Sequence, residues 1–243
     1  GEGKNPRDNG HGGDGGSGIV NDITGILTGY AGGGGGSTEY AGANNYGKGG
    51  SVKINGTNYY IGGSGLAYLH NNRNNPGGNG LINTGSGGGA GGWDGDELPG
   101  DGGSGIVIIS YKYSDYEEVV EDILEYKIDG VDDSDIISLE DDYYYVCFKN
   151  DGTDNQTEYT VNFPEDTTCD ILIVGGGGGG GGVDAGGGGG GGLIYETGLT
   201  LNGTYNISVG KGGDGGTGDS ASATGEPGVK GSNSALQGGN TVI

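Results

Sequence analysis

The chain has no methionine, one tryptophan, two phenylalanines, two histidines, two cysteines and five prolines, and only ten of its 243 residues are lysine or arginine. Each shortage removes a class of protein. Five prolines and no Gly-X-Y period exclude a collagen helix. Ten basic residues against 33 acidic ones, a net charge of -23, leave little to neutralise phosphates, so no nucleic-acid partner is expected. No apolar run reaches the roughly 18 residues of a membrane helix, so no membrane insertion is expected. His11 and His70 stand beside no serine or cysteine nucleophile in a recognisable arrangement and read as surface loop residues. No catalytic residue, and therefore no enzyme, is expected. The start carries no signal peptide, which says nothing if the sequence is a mature fragment.

What the chain has is glycine, 67 residues of it, with only 30% hydrophobic residues to fill thin cores. The organising stretch is DILIVGGGGGGGGVDAGGGGGGGLIYE, from Asp170 to Glu196. Four apolar residues read as a buried strand, and two glycine runs lead to a second short strand. Glycine is the costliest residue to order, so one reading is a flexible linker. The other, favoured here, is a set of extended threefold helices rising about 3.1 Å per residue, side by side and bonded backbone to backbone. Apolar strands bracket the runs, and the clusters 32–36, 87–92 and 212–218 supply partners.

Strand signals surround these runs. SVKI-NG-TNYYI at 51–61 is a hairpin pattern in which Asn55-Gly56 suits a type I′ turn, and LTL-NG-TYNISV at 199–209 reads as a second copy. GGDGGSGIV at 12–20 and GDGGSGIV at 100–107 are an internal repeat in which a glycine stretch turns into a strand. DDYYYVCFKN (141–150) and TEYTVNF (157–163) form a hairpin candidate turning at Asp151-Gly152, and in the second strand Thr157, Tyr159, Val161 and Phe163 share a face. The acidic stretch 114–142 is read as a connector, or as a short helix near 116–127 with Val119, Val120, Ile123 and Leu124 on one side. The expected fold is all-β, sandwich-like antiparallel strands beside a bundle of polyglycine helices.

Several chemical motifs fail on inspection, and no cofactor or metal is expected. ILIV with Gly175, Gly177, Gly180 and Glu196 imitates a dinucleotide fingerprint, but a chain with this much glycine cannot form the helix that holds the pyrophosphate. In the P-loop imitation from Gly42 to Lys48, Gly49 replaces the magnesium-binding hydroxyl. Asp129, Asp132, Asp133 and Asp135 lack calcium-loop spacing, and 212–219 misses the calcium nonapeptide. Cys147 and Cys169 lie on strand-like segments and are expected to form a disulfide in an oxidising compartment, two buried thiols being the alternative. Sequons at Asn55, Asn155, Asn202 and Asn206 are consistent with secretion and attached glycans, although Asn55 and Asn202 also serve as turn residues.

DILIVGGGGGGGG…GGLIYETGLTLNGTYNISVGKGGDGGTG…GSNSAL resembles the opening half of the glycine-rich domains of phage and giant-virus tail-fibre and adhesin proteins. It is also similar to the glycine-rich extracellular domain of the anaplastic lymphoma kinase receptor. SGIVNDITGILTGYAGGGGGS…NTGSGGGAGGW…GDGGSGIVIISY resembles the closing half of the same domains. The resemblance covers roughly 1–113 and 157–243, and implies polyglycine helices bundled beside strands, with work in adhesion or receptor binding. The halves stand here in reversed order. The expected organisation is therefore 1–113 as a closing half, 114–142 as a connector, and 143–243 as a hairpin plus the opening half of the next domain. One period of a longer repeat, or a subunit completing its neighbour, gives a filament built head to tail from copies of itself. The expected location is extracellular. An adhesion module with a cell-surface or glycan ligand is the alternative, and an ice-binding face is a third reading made weak by the acidic residues.

Overall fold

The computed structural model describes residues 12–38, 46–65, 76–92, 98–112, 135–139, 143–182, 185–219, 224–238 and 241–243. Two structures grow from this chain, and one plane joins them. Strands made of Val, Ile, Tyr and Thr form antiparallel sheets, and β-strands such as those ending at Val174 and beginning at Ile19, Ile106 and Leu193 adjoin glycine runs. The described residues contain strands and no α-helix, as the all-β expectation requires. The candidate helix at 116–127 lies outside the described residues, as do His11, His70, Trp93, Asp129, Asp132 and Asp133.

The largest sheet has the order β13-β12-β9-β8-β5-β7-β6. Its backbone is the pair β8 (Gln156–Val174) and β9 (Leu193–Gly210), 19 and 18 residues long. A register shift between Phe163 and Thr167, where Pro164 offers no N–H, creases this pair. The crease folds the sheet over on itself. On one layer, β5 (Ile106–Lys112) lies between the second half of β8 and β7 (Tyr143–Lys149), with β6 (Ile136–Ser138) outside β7. On the other, the first half of β8 pairs with the second half of β9, followed by β12 (Ala235–Gly238) and β13 (Thr241–Val242). Phe148 and Tyr159 meet across the gap with ring centres 5.2 Å apart, and the Asn150 side chain donates to the Val209 carbonyl at 2.8 Å.

Val107, Ile109, Phe148, Val161, Phe163, Ile171, Leu201, Ile207 and Leu236 fill the space between the layers. The outer face of the first layer carries Ile106, Ile108, Leu172 and Val174, covered by Ile23 and Tyr30. Tyr30 belongs to the ribbon of β1 (Ile19–Asn21) and β2 (Thr28–Tyr30), and Ile23 to the turn between its strands. β3 (Ser51–Ile54) and β4 (Thr57–Tyr60) form a second ribbon, and β10 (Gly218–Asp219) with β11 (Thr224–Gly225) a third. The β3–β4 turn has φ of 49° at Asn55 and 84° at Gly56, the left-handed pair that a type I′ turn needs.

Two expectations are corrected. The second Asn-Gly, at 202–203, is no hairpin turn: β9 runs straight through it, and Asn202 instead donates to Asp166 at 2.6 Å across the crease. β7 and β8 do not pair, because β5 lies between β7 and the second half of β8; the Asp151-Gly152 turn carries the chain from one layer to the other. β5, from residues 1–113, is the central strand of a layer whose other members lie beyond residue 113.

The glycine runs form the bundle, and its centre is the run 85–92. This run is hydrogen-bonded to six others: 31–37, 185–192, 175–182, 98–105, 77–80 and 62–65, taken in order around it. Each member of that ring is also bonded to the next, which is hexagonal packing of threefold helices. The threefold period is visible in the donors. Gly175, Gly178 and Gly181 donate to Gly192, Gly189 and Gly186; Gly176, Gly179 and Gly182 donate to Ser232, Val229 and Glu226; Gly177 and Gly180 donate to Gly103 and Gly100. Every third N–H serves the same neighbour. Where the runs pass this closely a side chain has no room: a Cβ at Gly88 would sit 2.1 Å from the Gly100 carbonyl oxygen. Further runs, 12–18 and 47–50 beside 31–37, and 210–217 and 226–234 beside 175–182, extend the array. The repeated GGSG-IV segments do the same job twice, at the entries to β1 and β5.

Candidate functional site

The bundle is completed around its central run, while ring members at its edge have fewer neighbours. Among the described residues the run 185–192 is bonded on three sides, as is 77–80. Gly188 and Gly191 donate to Gly88 and Gly85 of the central run; Gly34 and Ser37 donate to Gly188 and Ala185; Gly175, Gly178 and Gly181 donate to Gly192, Gly189 and Gly186. Its remaining sides face solvent, and Gly186, Gly189, Gly190 and Gly192 are exposed. A Cβ placed on Gly186, Gly189 or Gly192 would meet nothing within 4 Å. Among the described residues, Gly188 and Gly191 are the members of this run whose backbone N–H groups bond to another run.

A groove flanks this ridge on each side. The first, about 500 Å³, has the run 175–182 as floor, the ridge as one wall and Pro227–Asn233 as the other. The second, about 380 Å³, is floored by Gly33 and Gly34 and walled by the ridge and by Gly15, Gly16 and Ile19. Each groove lies where the hexagonal array has an empty position. Runs 175–182 and 31–37 each have five bonded neighbours, and the sixth place is the groove. Lys230 stands on the wall of the first groove, and Gly15, Gly16 and Ile19 form that of the second.

The cysteines are free and form no disulfide. Cys147 pairs with Ile108 and Cys169 with Tyr111, on strands either side of β5. Two strand spacings and three residues of offset put their Cα atoms about 14 Å apart, twice the reach of a disulfide. Positions 108 and 111 also face opposite ways, so Cys147 packs beneath the β1–β2 ribbon while Cys169 lies between the layers. Burial, with the Asp170 carboxylate adding to it, pushes the Cys169 thiol up to about 12. Burial also raises Cys147, against the pull of Lys149. Buried thiols of this kind are inert structural residues. Burial likewise raises Tyr30 and Tyr111 to about 12.

The other residues singled out in the sequence lie apart. Asn55, Asn155, Asn202 and Asn206 are all exposed, on four separate places of the strand surface. Asn206 accepts from Thr160 at 3.2 Å across the β8–β9 pair. Asp151, at the turn between layers, accepts from the backbone N–H and the hydroxyl of Thr153, which hold its carboxyl below the usual range. Asp135 is exposed, and among the described residues no group of three or more His, Cys, Asp or Glu is placed to hold a metal. Tyr144 stacks on Tyr111 with ring centres 5.9 Å apart, so the Tyr143–Tyr145 triplet contributes to packing. The central role of 85–92 was hidden because Ser86 and Ala90 interrupt its glycines; both are fully buried.

Backbone packs on backbone at one end of this fold, and apolar side chains pack between β-layers at the other. Residues 153–243 match the sequence model of a family described as a glycine-rich domain. No curated protein and no solved structure matches the chain.

Proposed function

We propose that the chain is a structural unit of an extracellular filament, in which copies or covalent repeats join end to end. The observation that carries this reading is the bundle itself. Runs amounting to a large share of the chain spend their N–H groups on one another, giving a stiff body whose two grooves are lined mostly by glycine backbone. A body of that kind suits load-bearing and packing. The joint between units is a contact between neighbouring copies or a covalent repeat. Electron microscopy of the native material tests this: a fibre with a fixed axial rise supports it, and discrete single particles overturn it. Mass measurement under denaturing conditions then separates a very long chain of repeats from a 24 kDa subunit.

A surface-adhesion module is the second reading, favoured by exposed apolar side chains. Tyr59 and Tyr60 on the β3–β4 ribbon are 50% and 55% exposed, and Leu81 and Ile82, tied to the ribbon through the bond from Leu81 to Ile61, are 52% and 71% exposed. Exposed aromatic and aliphatic residues are what a glycan or protein ligand contacts. Retention on cells or on immobilised glycans, lost in Tyr59→Ser/Tyr60→Ser, is the expected signature of that reading.

A further inference from the structure

We infer that the ridge 185–192 and its two grooves are a lateral docking surface for a second copy of this chain, each ridge lying in the first groove of the other. This rests on the filament reading for its purpose but on the array for its geometry. In a two-fold arrangement about an axis parallel to the runs, the partner's ridge occupies the empty position above 175–182. There it touches 175–182, 185–192 and 226–234, which with its own three neighbours makes the six that 85–92 already has. The same operation places the partner's 226–234 in the second groove, beside 31–37 and 12–18, and no two runs fall on one lattice position.

The glycines argue for this occupant. At Gly88, Gly177 or Gly213 the chain's own carbonyls leave no room for a Cβ; at Gly186, Gly189 and Gly192 nothing in the fold stands in the way. Each of these glycines carries an ordering cost that the isolated fold does not require. A second backbone arriving at the spacing seen elsewhere in the bundle does require it. The exposed Val229 of one copy arrives at the groove walled by the partner's exposed Ile19. A strip about 25 Å long and four runs wide buries roughly 1,000 Å² in total, the lower bound for a specific interface, so the pair is weak and concentration-dependent.

The test uses the full chain and its Gly186→Val/Gly189→Val/Gly192→Val variant in sedimentation equilibrium. The expected result is a dimer whose association is weakened more than about tenfold in the variant, with the thermal midpoint unchanged. A wild-type chain that stays monomeric to millimolar concentration overturns the proposal, and so does a variant that dimerises as wild type. Hydrogen exchange guards against a misfolded variant: in wild type, amides 186, 189, 190 and 192 gain protection as concentration rises, and constant exchange there overturns the docking. Electron microscopy separates the two readings. Variant filaments that persist but no longer bundle side by side support both, whereas dimers in solution without any filament overturn only the filament.

Discussion

The bundle and the layered sheet hold together by opposite means. Between the β-layers, Phe163, Leu201, Ile207 and Leu236 are fully buried, and their apolar surface supplies the driving force. In the bundle, the buried residues of 85–92 present almost no side chain at all, and stability comes from N–H and C=O groups meeting on every side. The sheet therefore tolerates trimming better than filling in places, and the buried interior of the bundle tolerates neither an added carbon nor a shifted backbone. One chain pairs a side-chain solid with a backbone solid, and each fails in its own way.

The largest expected effect is in the bundle. Gly88→Val puts a branched side chain where a single Cβ already lies 2.1 Å from a carbonyl oxygen, and the surrounding runs have no room to yield. Loss of folding, a destabilisation of at least about 4 kcal/mol, is expected in denaturant titration. A fully stable variant would break the claim that these runs are in backbone contact. Next comes Phe163→Ala, which empties the space between layers beside Tyr205 and should cost about 3 to 5 kcal/mol while leaving exchange in 175–182 slow until global unfolding.

Alkali should act on the sheet alone. Cys169 and Tyr111, between the layers, and Tyr30, beneath the ribbon, have folded values near 12, above those of the unfolded chain. The folded state thus holds protons that the unfolded state releases. Stability from these groups is complete below about pH 9 and falls as pH rises towards 12. Urea midpoints measured from pH 8 to 11 should decline, and Tyr111→Phe should flatten the slope; a rising midpoint would sink this account. The smallest effect is a reducing agent, which should leave mass and melting temperature unchanged, with two thiols titrating only after unfolding. A change on reduction would restore the disulfide.

Much of this was legible, and the limits have physical causes. The strand entries at Ile19 and Ile106 follow from the repeated GGSG-IV segment, and Asn55-Gly56 turns as its backbone preferences dictate. Alternation in 157–163 named the buried face of β8. What local pattern does not carry is which strand lies beside which. The cysteines were paired because they flank a short stretch of chain, yet β5, from far away in sequence, lies between them. Asn202-Gly203 has the same letters as Asn55-Gly56, but Pro164 and Asp166 opposite it make a crease instead of a turn. The open side of 185–192 was invisible for a related reason: its glycines read the same as those of 175–182, and only the array distinguishes an interior run from an edge.

The crease in the long β8–β9 pair bears on mechanics. Tension along a fibre would load the bundle in shear, with bonds such as those from Gly175, Gly178 and Gly181 resisting together, while the interrupted pairing between Phe163 and Thr167 has to give bond by bond. Under extension the layers should therefore peel open at that bend first, turning the sheet into a spring and leaving the glycine block as the rigid link between springs.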